Sequence, residues 1–534
     1  MTTGTTEPEG PDDGWRRLDR RTLVASAVLA VGACAAAGVP TLAGMRSADR
    51  FSFGVAAVLV AVGVFVIVGL AVAAEWVRLA RTRFRVGPER VEVHSGILVR
   101  TRKGLARERV RTVEVTADPV LRLLGLASVR IGTGQKTSVT DQPLELRALR
   151  RPDAEALRRV LLDREGTIRP PHPGEGSPDE AGEGGSSPRG EETLAVLDPS
   201  WIRFAPISVL TPTLGLAAFG VLLQGADWIG LQQTVIDDAA DVAIALGLVI
   251  TLVLGLVVVV VVGTVASLAV FVESWWGYRL TREPGIAATG SLHVRRGLLT
   301  RRSTTLEENR LRGVAVVEPP GVALVGAARV DAVATGLSAA GEQRSDPRGL
   351  LPVAPRAVAN RVVAEVLREP TAPTEAVELR AHPVAARGRR IRWASAICLV
   401  PAVVLGVVAV LAGSIAFAVL ATVAAVVGLA AGIGLGRLAY RNLGHGLVGN
   451  HLVTRHGAPG RRTVALRRDG VLTWTLTQSP FQRRAGLVTL WFTTAAGDGR
   501  YGVYDVGVDE AVAFATETLG DRFTPFLSAA RMAA

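Results

Sequence analysis

The residues best suited to binding chemistry form a dense basic run between positions 100 and 111. Exposed arginines and lysines beside a membrane attract anionic lipid headgroups, each by about 1 kcal/mol. One acid, Glu108, interrupts the run. We therefore predict a contact with anionic lipid here, and a solvated basic face is the alternative interpretation. The cationic residues are Arg100, Arg102, Lys103, Arg107, Arg109 and Arg111.

Two smaller basic groups lie further along the chain. Neither is interleaved with the aromatic side chains on which single-stranded nucleic acid stacks, so we expect no nucleic-acid partner. The groups are Arg295, Arg296, Arg301 and Arg302, and then Arg461, Arg462, Arg467 and Arg468.

Residues that could hold a metal or catalyse a reaction are sparse. His445, His451 and His456 come nearest to a cluster, but the glycines around them predict a loop rather than a metal site. Cys34 and Cys398 lie inside apolar segments, which argues against a disulfide or a cysteine-based metal site. The GxxxxGKS/T, GxSxG, HExxH and CxxC motifs do not occur in the sequence. We expect a protein that is not an enzyme, with no cofactor, no metal and no small-molecule substrate.

Six apolar segments would place these residues at a membrane. Hydrophobic residues make up 49% of the 534-residue chain, a high share for a soluble protein. A helix needs about 20 apolar residues to cross the hydrocarbon core of a bilayer. The six segments approach or exceed that length and pair into helical hairpins. The pairs are 23–45 with 51–74, 207–223 with 242–272, and 394–411 with 415–435.

The charges beside the apolar segments predict their orientation. Arginines precede the first and fifth segments and follow the second and sixth. The loop between the third and fourth segments instead carries acids and neither arginine nor lysine. The positive-inside rule then places both termini in the cytoplasm of a multi-pass cell-membrane protein. Cleavage or lipidation at Cys34 is a less favoured alternative, because the apolar stretch exceeds a signal-peptide core.

A pattern of glycines and prolines recurs after each hairpin. In each copy two glycines stand 29 residues apart, and a proline stands six residues before the second glycine. Apolar and polar residues alternate on both sides of the pattern, as in half-buried strands, and an amphipathic helix follows. We predict that the proline-to-glycine stretch links two groups of strands. The repeat positions are Gly96, Pro119 and Gly125, then Gly297, Pro320 and Gly326, then Gly457, Pro480 and Gly486.

These segments resemble the bacterial pleckstrin-homology (PH) domains of the YdbS/YdbT-like "membrane-flanked domain" family. The first copy carries the resemblance through Gly96, Arg122, Gly125 and Leu126, and the third through Arg483, Gly486 and Leu487. The second copy departs from the family pattern at Ala323 and Ala327. The resemblance implies a seven-stranded PH barrel with a C-terminal helix, and it implies no catalytic activity.

The expected fold class is a multi-pass α+β membrane protein with six transmembrane helices in three hairpins, each followed by a cytoplasmic PH-like barrel. The expected function is a non-enzymatic membrane scaffold for protein partners, self-association or the inner leaflet, in envelope homeostasis or antimicrobial tolerance. A subunit or accessory factor of a membrane transporter is the alternative. The predicted order is an N-terminal tail (1–21), hairpin 1 (22–75), PH-like domain 1 (82–163), a disordered linker (164–195), hairpin 2 (200–273), PH-like domain 2 (277–368), hairpin 3 (390–437) and PH-like domain 3 (440–527).

Overall fold

A computed structural model describes most of the chain. The described residues are 15–47, 53–87, 90–95, 101–106, 112–132, 144–162, 191–207, 210–228, 233–234, 237–238, 241, 247–284, 290–335 and 348–520. The chain divides into two compact units. Unit 1 comprises Met1–Glu191, Leu214–Tyr278 and Glu283–Leu306, and unit 2 comprises Glu192–Thr213, Arg279–Arg282 and Glu307–Ala534.

The α-helices of the described residues include long apolar ones and short amphipathic ones. In chain order they are α1 (Thr22–Ser47), α2 (Phe53–Arg81), α3 (Pro119–Leu123), α4 (Arg151–Leu162), α5 (Leu210–Trp228), α6 (Leu248–Trp275), α7 (Arg356–Leu367), α8 (Pro373–Ala376), α9 (Val384–Cys398), α10 (Val400–Ala412), α11 (Ile415–Arg441), α12 (Pro480–Arg484) and α13 (Val508–Leu519).

The strands follow the apolar helices in groups. They are β1 (Arg16–Arg17), β2 (Arg83–Val86), β3 (Arg90–Ser95), β4 (Thr101–Ala106), β5 (Thr112–Ala117), β6 (Leu126–Gly132), β7 (Leu144–Arg150), β8 (Glu192–Val196), β9 (Arg279–Glu283), β10 (Ser291–Arg296), β11 (Arg301–Glu307), β12 (Leu311–Glu318), β13 (Ala327–Ala334), β14 (Gly349–Pro355), β15 (Gly444–Val448), β16 (His451–His456), β17 (Arg461–Arg467), β18 (Val471–Thr477), β19 (Leu487–Thr494) and β20 (Arg500–Gly507).

Four helices in the described part of the chain are long and apolar enough to cross a membrane: Ala57–Arg81, Val253–Trp275, Val384–Ala412 and Ile415–Arg441. The expectation of an α+β chain with several such helices is confirmed, whereas six spans in three hairpins stay a prediction. Within α1, Thr22–Ala37 is an apolar stretch shorter than these four helices. The predicted third span, 207–223, overlaps the second helix of a pair, Pro199–Ile207 and Thr211–Ala226, which are bent by 79° relative to each other. Pro206 lies inside the first of these helices and lacks an amide donor, which favours such a break.

Strands β2 to β7 of unit 1 contribute to one apolar core. Strands β1 to β4 form an antiparallel sheet in sequence order, and a second group of strands runs in the order β7-β6-β5-β11-β10. The alternation predicted from the sequence places Val91, Val113, Val129 and Ile131 in the core with no exposed surface. The terminal helix α4 covers this core with Leu157.

Unit 2 repeats the arrangement with two sheets. One has the order β14-β13-β12-β17-β16-β15, and the other has the order β18-β19-β20. Leu452, Leu490 and Phe492 fill the core between strands, and Phe514 covers it from helix α13. Strand β8 pairs with β9 in the same unit.

Two strand pairings join successive copies of the repeat. Strand β5 of the first copy pairs antiparallel with β11 of the second, with Ala117 opposite Arg301. Strand β12 of the second copy pairs in the same way with β17 of the third, with Glu318 opposite Arg461. Each of these strands is hydrogen-bonded to a strand of the neighbouring copy, so the sheets extend from one copy to the next. The pairings therefore do not establish three separate barrels.

The two junctions share one register. In both, the residue eight positions before the second glycine of one copy faces the residue four positions after the first glycine of the next. A shift of one position would turn every apolar side chain to the opposite face, so a shared register indicates a shared packing.

Candidate functional site

The first predicted basic group lies mostly outside the described residues. Arg100, Arg107, Arg109 and Arg111 are outside them, as is the repeat glycine Gly96. Arg102 and Lys103 occupy positions on β4, which pairs with β3. The prediction that this group contacts anionic lipid therefore stays a prediction.

The proline-to-glycine stretches link two groups of strands. In copies 1 and 3 the link is a short helix, α3 or α12, and in copy 2 it is the 3₁₀ turn Val322–Val325. Helices α3 and α12 begin at Pro119 and Pro480, and the 3₁₀ turn begins two residues after Pro320. Each ends at a left-handed glycine, where a side chain would strain the backbone: φ is +71° at Gly125, +67° at Gly326 and +64° at Gly486.

The first glycine of the second and third repeats serves a different turn. Gly297 and Gly457 have φ of +108° and +120°. A Cβ added to Gly297 would lie 2.0 Å from the carbonyl oxygen of Thr300, and one on Gly457 would lie 2.3 Å from that of Gly460. These hairpins therefore require glycine for space as well as for backbone conformation.

The third basic group is engaged within unit 2. Both Arg461 and Arg462 pair with acids: Arg461 donates to both carboxylate oxygens of buried Glu318, and Arg462 lies 2.8 Å from Asp498. Arg468 donates to the carbonyl oxygens of Thr518 and Glu517, both at 2.7 Å, and Arg467 pairs with Asp469 at 2.9 Å. Each of these four guanidinium groups has a partner within the fold.

The second basic group lies on the β10–β11 hairpin, which is bound to the end of apolar helix α6. The Glu273 carboxylate accepts the backbone N–H groups of Leu299 and Thr300, both at 3.0 Å. The hairpin amide of Gly297 donates to the carbonyl oxygen of Trp276 at 2.9 Å. Glu273 thus fixes the hairpin to the helix end, a role that the sequence did not reveal.

Four exposed arginines gather around this hairpin. Arg122, on the α3 link, donates to the carbonyl oxygen of Leu298 at 2.9 Å. Partial desolvation, together with the positive charges of Arg122, Arg151 and Arg295, lowers the pKa of Arg301. Arg301 therefore experiences the charge of three other arginines, of which Arg151 also pairs with Glu155 at 3.3 Å. Such a concentration of positive charge favours an anion nearby.

Exposed apolar side chains accompany these arginines. Leu123 is 88% exposed, beside Arg122 on the link. Leu299 at the tip of the hairpin and Trp276 after α6 are 56% and 54% exposed. Trp275 contacts Arg296, whose guanidinium lies 4.3 Å from its ring centroid. Cations beside exposed leucine and tryptophan are typical of a surface that meets a membrane interface. We call Arg122, Leu123, Arg151, Trp276, Arg295, Leu299 and Arg301 the hairpin surface.

In unit 2 a buried carboxylate ties an apolar helix to the strands. Asp505 of β20 has no exposed side-chain surface and a positive φ of +55°. It accepts from Arg389 at 2.7 Å and from Arg390 at 2.6 Å, both on α9. Gln482, within the α12 link, donates to it at 2.9 Å. One carboxylate therefore joins α9, the link and β20.

The expectation that the late histidines lie in a loop is wrong. His445 lies on β15, and His451 and His456 begin and end β16. The glycines between them allow close packing instead: a Cβ on Gly446 would lie 2.7 Å from Val377. Burial lowers the pKa of His445 to about 3 and that of His456 to about 4, so both rings are neutral at pH 7.

A potential metal cluster of three histidine, cysteine, aspartate or glutamate side chains is not found within the described residues. His382 and His445 lie side by side, with ring centroids 5.1 Å apart. Their arrangement is that of packed core rings, and His445 also lies against Phe514, with centroids 4.5 Å apart.

Comparison with known proteins supports the bacterial PH assignment for two parts of the chain. A family model described as "Bacterial PH domain" matches residues 27–165 and 395–521. Neither a curated protein nor a solved structure matches the chain significantly. The narrower YdbS/YdbT-like assignment stays a prediction. Each matched stretch includes apolar helix, strands and the terminal helix, so two regions of the chain are similar to bacterial PH domains together with their adjoining apolar helices.

Proposed function

We propose that this protein is a non-enzymatic integral membrane scaffold, which holds PH-like domains against the cytoplasmic face of the membrane. In this proposal the six apolar segments form three hairpins, and the middle part of the chain, residues 277–368, is a third PH-like copy. The bacterial PH matches and the apolar helices support the membrane association.

The observation that carries the proposal is the fastening of strands to apolar helices. In unit 1 the Glu273 carboxylate fixes the β10–β11 hairpin to the end of α6. In unit 2 Asp505 fixes β20 to α9 through two arginines. Charge-assisted hydrogen bonds of this kind restrict rotation of a domain about its anchor, as a scaffold that presents surfaces in fixed orientation requires.

The hairpin surface would face anionic headgroups in this proposal. Its four arginines are exposed, and they adjoin the end of an apolar helix marked by Trp275 and Trp276. Juxtamembrane cations gain about 1 kcal/mol each from an anionic leaflet. Leu123 and Leu299 would enter the interfacial region beside them.

A polarity-sensitive dye at Leu123 tests this contact. The full chain, with Cys34→Ser, Cys398→Ser and Leu123→Cys, is labelled and reconstituted into vesicles of neutral lipid or of neutral lipid with anionic phosphatidylglycerol. We expect a blue shift in the anionic vesicles at low salt, which weakens as salt screens the exposed charges. Arg295→Ser with Arg301→Ser should reduce the shift.

Leu324 provides the matched control. It occupies the equivalent position in the second copy and is 90% exposed, but alanine replaces the neighbouring arginine at position 323. A dye at Leu324→Cys should respond less to anionic lipid. An identical response at both positions, or a response at 123 that ignores lipid charge and salt, would contradict the proposed contact.

A further inference from the structure

Strand β18 is the equivalent of two strands that are paired on both sides. Its counterparts β5 and β12 each have a neighbour within their own copy, β6 or β13, and a second one in the next copy, β11 or β17. Within the described residues β18 pairs with β19 alone. At the other end of the repeat, β4 is the counterpart of β11 and β17, and within the described residues it pairs with β3 alone.

The exposed side of β18 lacks the usual protection of an edge strand. Its sequence, VLTWTLT, holds neither charge nor proline. Leu472 is 63% exposed, and Thr473, Thr475 and Thr477 are exposed as well. Its counterpart β12 is mostly buried. Natural sheets protect free edges with charges, prolines or bulges. Strand β18 has only one irregularity, at Val471/Thr473, and the neutral edge that follows it indicates a strand that acquires a partner.

We propose that β18 of one chain pairs antiparallel with β4 of a second copy, continuing the series of β5–β11 and β12–β17 junctions. This proposal rests on the proposed scaffold function, and the partner that it assigns to the scaffold is a second copy of the same chain. Strand addition of this kind supplies main-chain hydrogen bonds along the whole edge. Because the pairing is head to tail, it would extend from chain to chain into a ring or an open array.

The two existing junctions fix the register of the third. Residues nine and eleven positions before the second glycine face residues five and seven positions after the first glycine of the next copy. Applied to β18 and β4, this rule places Thr477 opposite Thr101 and Thr475 opposite Lys103. The irregularity at Val471/Thr473 in β18 recurs at Leu311/Gly313 in β12, so the counterparts also share their bulge.

Disulfide formation between two differently tagged full-length chains tests this register in native membranes. Both chains carry Cys34→Ser and Cys398→Ser. One adds Thr475→Cys and the other adds Lys103→Cys. Opposite residues of antiparallel strands have Cα atoms about 4.5–5.5 Å apart, within the range of a disulfide, whereas diagonal ones are about 7–8 Å apart. We expect at least about fivefold more mixed dimer from this pair than from Thr475→Cys with Thr101→Cys.

A charge exchange provides the second arm. Thr475→Lys would oppose Lys103 across the junction and should reduce co-purification of the two tagged chains, because like charges directly opposite destabilise a sheet. Adding Lys103→Glu to the Thr475→Lys chain should restore co-purification. Thr475 is exposed, and protein level and protease resistance of each variant show whether the fold is kept.

The proposal would be overturned by equal cross-linking of both cysteine pairs, or by the absence of the mixed dimer in folded protein. Loss of co-purification without rescue would also overturn it. The dye measurement at Leu123 does not involve β18 or β4. Failure of the strand pairing would therefore leave the lipid contact standing, and failure of the dye measurement would not remove the pairing.

Discussion

Replacement of Asp505 by asparagine should destabilise the C-terminal PH-like region by about 2–3 kcal/mol. Removal of one partner from a buried ion pair costs about 3–5 kcal/mol, because it leaves an uncompensated charge. The side chains of Arg389 and Arg390 remain 19% and 24% exposed, so water can compensate part of that loss. Asparagine keeps the shape of aspartate and tolerates the φ of +55°, so Asp505→Asn isolates the charge. Asp505→Ala should cost about 1 kcal/mol more, because alanine fits that backbone poorly.

Pulse proteolysis in urea, on membrane vesicles that contain C-terminally tagged full chain, measures the stability of this domain. Asp469→Asn is the matched control. Asp469 also pairs with an arginine, Arg467, at 2.9 Å, but both side chains are about two-fifths exposed. An exposed pair contributes less than about 1 kcal/mol. The urea midpoint should therefore fall clearly for Asp505→Asn and little for Asp469→Asn. Equal small shifts in both variants would show that Asp505 does not fasten the domain to α9.

Two further predictions concern the same domains. Gly486→Val and Gly125→Val should each destabilise their own domain by at least about 1–2 kcal/mol, because valine is strained at positive φ although the space around both glycines is open. Gly486→Asn and Gly125→Asn should destabilise their domains less than the valine variants do. Valine variants with normal protein levels and normal protease resistance would refute the requirement for glycine at these positions. Burial depresses the folded-state pKa of His445 to about 3 and that of His456 to about 4, so their contribution to stability is present above pH 6.5 and is lost as pH falls toward those values. The urea midpoint of unfolding should accordingly be lower at pH 5 than at pH 7, and this decrease should be smaller in His445→Phe. A urea midpoint that does not change between pH 7 and pH 5 would contradict the prediction.

Local periodicity predicted much of the strand structure. Leu472, Trp474 and Leu476 alternate with threonines, and they lie on β18. The amphipathic stretch beginning at Asp509 lies in α13. Such patterns are visible in sequence because a half-buried strand or helix repeats its buried side every two or every 3.6 residues.

The contacts between distant segments could not be predicted in this way. The pairing of Ala117 with Arg301 joins residues far apart in the chain, and periodicity carries no information about which strand lies beside another. Asp505 stands alone in the sequence "VYDVG", without a neighbouring motif. Its importance comes from Arg389 and Arg390, which the sequence marked only as flanking charges of an apolar segment. The glycines beside His445 predicted a loop because the sequence does not distinguish a flexible glycine from a closely packed one.

The side of the membrane on which each connecting segment lies is the most direct test of a scaffold with cytoplasmic PH-like domains. Reporter fusions to the full-length chain after Gly230, in the acidic loop, and after Gly184, in the predicted linker, measure it; both positions lie outside the described residues. The positive-inside rule predicts an exterior signal at Gly230 and a cytoplasmic signal at Gly184. A cytoplasmic signal at Gly230 would contradict the three-hairpin arrangement.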